Sequence, residues 1–126
     1  MTPPVHHPRV FDILDGQASD TRDTPYGVVG MVHSDEGIEA VWVRKQDEAV
    51  DPEWFSQQMV DLILLLQGQL RVEFVDPKLP DLTMQPGQVL VLPAGIECRA
   101  YRWPRDAVQP TIFFAAYPKS GDRRHE

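Results

Sequence analysis

The sequence predicts an all-β domain, a sandwich or barrel, and three observations predict it. Twelve prolines are spread over 126 residues, most at the edges of short apolar segments, and proline is tolerated neither in helix interiors nor in central strand positions. Between the prolines lie segments rich in β-branched and aromatic residues. Several of these alternate apolar with polar side chains, the period of a half-buried strand. Many short strands separated by Pro/Gly turns are the pattern of a single two-layered β domain. A chain of this length buries about two thirds of its unfolded surface and needs no disulfide or structural metal to hold it.

In chain order, Gly27–His33 and Ile38–Lys45 read as strands separated by the turn Ser34-Asp35-Glu36-Gly37. The next segment is ambiguous. Asp51-Pro52-Glu53 looks like a helix N-cap followed by proline at the first helical position, and Phe55, Met59, Leu62, Ile63 and Leu66 share one helical face. As a strand, the same stretch places Met59, Asp61, Ile63 and Leu65 on one face and Val60, Leu62, Leu64 and Leu66 on the other. Periodicity alone does not choose. Gln69–Val75 follows, and within it Leu70, Val72 and Phe74 face away from Arg71 and Glu73. Gln88–Leu92 is nearly continuous apolar, as in a strand covered on both faces. Glu97–Trp103 and Thr111–Tyr117 complete the set. Residues 1–26 read as an N-terminal arm and 118–126 as a loose tail, with the barrel core at about 27–117, all one domain.

Charge and composition exclude several function classes. Twelve Lys and Arg against nineteen Asp and Glu give a net charge of −7, which repels phosphate backbones and anionic lipid, so no nucleic-acid partner is expected. The longest apolar run, Leu62–Leu66, is far shorter than the ~20 residues that span a bilayer, so no membrane partner is expected either. Met1–Val10 has no basic stretch followed by an apolar run, and Cys98 is the only cysteine; both agree with a cytoplasmic protein. There is no phosphate-binding Gly-rich loop, no Gly-x-Ser-x-Gly elbow, no His-Glu-x-x-His and no paired-Cys motif.

One motif carries a resemblance. Pro86-Gly87-Gln88-Val89-Leu90-Val91-Leu92-Pro93-Ala94-Gly95-Ile96-Glu97-Cys98 resembles the second conserved motif of the cupin superfamily, which runs Pro-Gly-Asp, an apolar strand, Pro-x-Gly and then a metal-binding His. Asp61-Leu62-Ile63-Leu64-Leu65-Leu66-Gln67-Gly68-Gln69-Leu70 is similar to the end of the first motif, where a Glu precedes an apolar strand and a Glu-Gly turn. The resemblance covers about Ile38 to Tyr117. It implies a small, single-domain, RmlC-like jelly-roll barrel (double-stranded β-helix) of two antiparallel sheets with little helix, and it makes the ambiguous segment a strand from about Met59 to Leu66. It also implies a homodimer, through sheet packing or exchange of an N-terminal segment such as Val10–Leu14.

What the resemblance implies for metal binding depends on individual positions. Metal-binding cupins use a His-x-His pair, a Glu and a third His. At the commonest spacing the pair falls on Trp54 and Ser56; a one-residue shorter loop places it on Phe55 and Gln57. Neither register supplies an imidazole. The Glu position holds Asp61 and the third His position holds Cys98, which is too few ligands for a closed first-row metal site, so no cofactor is expected. His6, His7, His33 and His125 fall outside the motif. The pocket candidates are Trp54, Ser56, Met59, Asp61, Cys98 and Arg102. Alternation along Cys98–Trp103 puts Cys98, Ala100 and Arg102 on one face, and if that face points inward Arg102 meets a ligand carboxylate or pairs with Asp61. A lone Cys98 also reads as a small buried hydrophobe, Asp61 as a satisfied buried polar group, Trp54 and Met59 as core filling, and His33 as a surface turn residue.

The functional expectation is a cupin-like barrel without the usual metal site that binds or senses a small organic ligand or serves as an accessory protein. The alternative is an enzyme of the isomerase, epimerase or oxygenase type, using an atypical site around Asp61 and Cys98 with His33 or Tyr101 as helper. A third reading makes the barrel chiefly a dimerisation module.

Overall fold

In the computed structural model, which describes residues 7–119, the chain folds into nine strands and one short 3-10 turn at Ile13–Asp15. The strands are β1 (Asp20–Thr24), β2 (Gly27–Ser34), β3 (Ile38–Lys45), β4 (Asp61–Gln67), β5 (Gln69–Phe74), β6 (Leu82–Met84), β7 (Val89–Leu92), β8 (Cys98–Trp103) and β9 (Thr111–Pro118). They form a six-stranded sheet in the order β1-β2-β3-β9-β4-β7 and a three-stranded sheet in the order β6-β5-β8. All named pairings are antiparallel. The two-sheet all-β architecture expected from the sequence is therefore the one observed. His6 and His125 lie outside the described residues, as does most of the expected tail.

The ambiguous segment is a strand from Asp61, not from Met59. Asp61, Ile63 and Leu65 turn inward and are buried, while Leu62 on the opposite face is exposed. Strand geometry succeeds here because both faces of β4 find pairing partners, β7 on one edge and β9 on the other. Two elements escaped the sequence. The expected N-terminal arm contains β1, whose Asp-Thr-Arg-Asp-Thr sequence has no apolar residue, yet it completes a five-pair ladder with β2 at the sheet edge. β6 is three residues long and pairs with β5.

The two Pro/Gly turns of the motif form as expected. Gln88 N–H donates to the Gln85 carbonyl around Pro86-Gly87, and Ile96 N–H to the Pro93 carbonyl around Ala94-Gly95. Gly87 and Gly95 take the positive φ values, 88° and 81°, that this turn requires at its third residue. Elsewhere, Gly30 faces Trp42 across β2 and β3, and a Cβ there would lie 2.0 Å from the indole. The indole lies against the glycine and donates its Nε1–H to the Gln17 carbonyl at 2.8 Å, so the N-terminal segment covers this outer face of the large sheet.

The core lies between the sheets. Val41, Val43, Ile63, Leu65, Phe113 and Ala115 from the large sheet meet Leu70, Val72 and Cys98 from the small one. Inward positions on each strand recur with period two, so register alone determines which polar residues enter this space. No helix among the described residues is long and apolar enough to cross a membrane.

Candidate functional site: a cavity with one unpaired carboxyl

Three strands facing six leave the inner face of the larger sheet only partly covered. The result is a cavity of about 520 Å³ between the sheets, with Asp20 and Arg22 of β1 on its exposed rim, a volume within the usual range for small-molecule sites. Its walls are mainly apolar: Val29 and Met31 from β2, Val41 and Val43 from β3, Ile63 from β4, Leu70 and Val72 from β5, and Phe113 and Ala115 from β9. Polar side chains enter at the strand ends.

At one end, Glu39 pairs with Tyr117 across β3 and β9, and Asp61 is one step beyond the Leu62–Ala116 pair of β4 and β9. These three residues occupy one row across the sheet, and all line the cavity. The Tyr117 hydroxyl donates to Glu39 Oε2 at 2.6 Å. Burial, then the Glu39 hydrogen bond, pushes the Tyr117 phenol well above its ordinary range, so its proton stays with that bond. Asp61 is 3% exposed, and its Oδ1 is buried without a hydrogen-bond partner. Burial raises its carboxyl from an ordinary value of 3.8 to about 6. An orphaned buried oxygen of this kind is rare in folded chains and calls for a partner that the chain itself does not supply.

The other end is closed by a buried ion pair. Lys45 Nζ donates to Asp51 Oδ1 at 2.5 Å and to the Tyr26 carbonyl at 2.6 Å, and Asp51 Oδ2 accepts the Ala100 N–H at 2.9 Å. Both side chains are about nine-tenths buried. The pair ties the loop after β3 to β8, where Val50 and Phe55 make bridges to Tyr101 and Cys98.

Of the six pocket candidates, the structure brings Asp61 and Cys98 to the cavity. Trp54 and Ser56 are not there: the loop runs in the shorter register, so Phe55 and Gln57 turn inward while Trp54 is 40% exposed with the Arg99 guanidinium stacked 4.5 Å from its ring centre. Met59 precedes β4 and is 42% exposed. Arg102 is buried on the predicted face, but at the far end of β8, where it donates to the carbonyls of Arg105 and Gln46 and does not pair with Asp61. Tyr101 points out of the barrel and donates to Glu73 Oε2 at 2.6 Å. His33 is on the surface between Asp35 and Arg9, and His7 is exposed. Sequence reasoning missed Glu39, Lys45, Asp51 and Tyr117. Glu39, Lys45 and Tyr117 follow from extending to their strand ends the same period-two pattern that places Asp61 inward.

Metal-binding cupins place ligands at four positions, and the residues this chain holds there do not fit a metal. In the observed register the four ligand positions hold Phe55, which has no donor atom, Gln57, Asp61 and Cys98. Burial, with Asp51 and Asp61 nearby, pushes the Cys98 thiol up to about 11, so it is a neutral thiol at neutral pH. No three His, Cys, Asp or Glu gather into a metal-binding group among the described residues.

No family model matches the chain, and no curated protein matches it in sequence. Solved structures do match in fold. KdgF from Halomonas sp. is similar with a TM-score of 0.65 and 19% identity, over 90% of this chain and 96% of that one. An RmlC-like cupin from Shewanella frigidimarina is similar with a TM-score of 0.65 and 13% identity, over 87% and 90%. An RmlC-like cupin family protein from Methanocaldococcus jannaschii, with a double-stranded β-helix fold, gives a TM-score of 0.62 and 13% identity over 77% and 84%. The fold of this chain is the cupin double-stranded β-helix.

Proposed function

We propose that the barrel is a binding site for a small organic molecule with an apolar body and one polar head placed at Asp61, in a sensing or accessory role. The observation that carries this reading is the buried Oδ1 of Asp61, unpartnered at one end of a mainly apolar cavity of about 520 Å³. A cavity lined by hydrophobic side chains with a few placed polar groups is the general form of a small-molecule site. The protein supplies shape through Ile63, Phe113 and Ala115 and orientation through Asp61, Gln57 and Tyr117. Ligand-observed NMR with a library of small neutral and charged compounds tests it. Hits are expected, and Ala100→Leu, at a half-buried lining position, should abolish them. Hits that survive this substitution place binding elsewhere, and a library without hits contradicts the reading.

A second reading, an enzyme, is favoured by one specific feature. A carboxyl at about 6 in a mainly apolar pocket is suited to giving and taking a proton near neutral pH. Tyr117, not Tyr101, is the tyrosine beside it. This reading requires turnover of a bound ligand that stops in Asp61→Asn while binding persists.

A further inference from the structure

We infer that the head group taken at the Asp61 end is a cationic amine carried on an apolar alkyl or aryl body. The inference rests on the proposed reading of the barrel as a ligand site and specifies the ligand's chemistry. It comes from how the charges around the cavity are committed. Four carboxylates and two cations line it. Lys45 is held by Asp51 and the Tyr26 carbonyl. On the exposed rim, Arg22 Nε donates to Asp20 at 3.2 Å. Glu39 accepts from Tyr117 and meets Lys119, which is 3.7 Å away. Asp61 alone has neither a cation nor a hydrogen-bond donor on its buried oxygen.

The groups facing Asp61 from each neighbouring element supply no positive charge. β9 contributes Tyr117, whose hydroxyl proton is on Glu39, and β3 contributes Glu39 itself. β7 contributes Leu92, which pairs with Asp61 across the ladder. β8 contributes Cys98, a protonated thiol influenced by Asp51 as well as Asp61. The loop after β3 contributes Phe55 and the neutral amide of Gln57. An anionic head group at this end meets Asp61 and Glu39, and the cation beside them, Lys119, is already engaged by Glu39 at 3.7 Å; a buried charge without compensation is strongly disfavoured. An ammonium brings both the missing charge and up to three N–H donors, and charge-assisted bonds of this kind are about twice as strong as neutral ones. The apolar walls take the rest of the molecule.

Three probes with one skeleton separate the possibilities: 4-phenylbutylamine, 4-phenylbutan-1-ol and 4-phenylbutyrate, titrated into the full chain by calorimetry or ligand-observed NMR. The amine is expected to bind at pH 8 at least about tenfold more tightly than the alcohol, with the carboxylate weakest. Lowering the pH from 8 to 5 protonates Asp61, whose carboxyl sits at about 6, and weakens the amine about tenfold while leaving the alcohol unchanged. Asp61→Asn removes the preference, so that amine and alcohol bind alike; circular dichroism of the variant confirms that the fold persists, and the wild-type pH profile gives the same answer without any substitution. If the alcohol binds as well as the amine, or the carboxylate binds best, the amine inference is overturned and the ligand-binding reading stands. If none of the three binds, both fall.

Discussion

Replacing Asp61 with Asn should stabilise the protein at neutral and alkaline pH and leave its acid stability nearly unchanged relative to wild type. The amide keeps the shape of the carboxyl and cannot ionise. In the folded chain the carboxyl is raised from 3.8 to about 6 because burial opposes its charged form; in the unfolded chain it returns to the ordinary value. One pKa unit corresponds to 1.36 kcal/mol, so the gap is worth about 3 kcal/mol. The sign follows from which state holds the proton. Below about pH 3.8 both states are protonated and the group costs nothing. Between about 3.8 and 6 the unfolded chain releases its proton while the folded chain keeps it, so the wild type loses stability as pH rises, and above about 6 the full cost remains. Urea unfolding of both proteins between pH 4 and pH 8, with a shared m-value, reads the difference directly. All other carboxylates are common to the two chains, and the hydrogen bonds an Asn amide lacks at this site are lacking at every pH. At pH 4 the unfolded carboxyl is already more than half ionised, so the Asn advantage should grow by about 2.5 kcal/mol from pH 4 to pH 8. A difference constant across this range refutes the assignment of Asp61 as a buried, unpaired carboxyl.

Other perturbations test other parts of the structure. Lys45→Met leaves Asp51 buried without its cation and should cost about 3–5 kcal/mol in urea unfolding, while the double change Lys45→Met with Asp51→Leu should recover part of that loss; a double change as damaging as the single one contradicts a buried pair. Gly30→Ala forces a methyl group to within 2.0 Å of the Trp42 ring and should destabilise by about 1–3 kcal/mol or more, read by unfolding and by a red shift of tryptophan fluorescence; an unperturbed variant contradicts the close approach. Cys98, with its thiol pushed up to about 11 and its side chain buried, should resist iodoacetamide at pH 8 in the native state and react at an ordinary rate in urea. Rapid native labelling would place it outside the core. The homodimer expected from the sequence is testable on the outer face of β4 and β7, where Leu62, Val89 and Val91 are 43%, 56% and 56% exposed: sedimentation equilibrium at micromolar concentration should give a dimer that Val91→Glu dissociates, and a wild-type monomer contradicts it.

The sequence showed most of the fold and a smaller part of what matters at the site, and the division has physical causes. Strands with apolar residues on the inner face were legible because burial selects those residues, as in β3, β5 and β9; β7 was expected to be covered on both faces, but its outer residues Val89 and Val91 are exposed. β1 was not legible, because an edge strand with charged residues on both faces is held by ladder hydrogen bonds, which leave no mark in composition. Asp61 and Cys98 were legible as site candidates because they hold ligand positions of the cupin motif, while alternation left open which face of their strands points inward. Trp54 and Ser56 were misplaced because the loop before β4 has no periodicity to fix its phase, and a shift of one residue exchanges Trp54 for Phe55 and Ser56 for Gln57 at the cavity wall. Arg102 shows a different limit. Its face was right, but alternation says nothing about position along the barrel axis, and backbone carbonyls satisfy it far from Asp61. Lys45 and Asp51 escaped because a charged residue is ordinarily solvated, and only the folded loop shows that each buries the other.

The most direct test is a carbon-detected NMR titration of the Asp61 side-chain carboxyl, in the free protein and again with 4-phenylbutylamine present. A midpoint near 6 that falls when the amine is added is the predicted result, since a cation at the carboxylate favours its charged form. An ordinary midpoint near 3.8 in the free protein, unmoved by the amine, would contradict both the unpaired buried carboxyl and the ligand chemistry drawn from it.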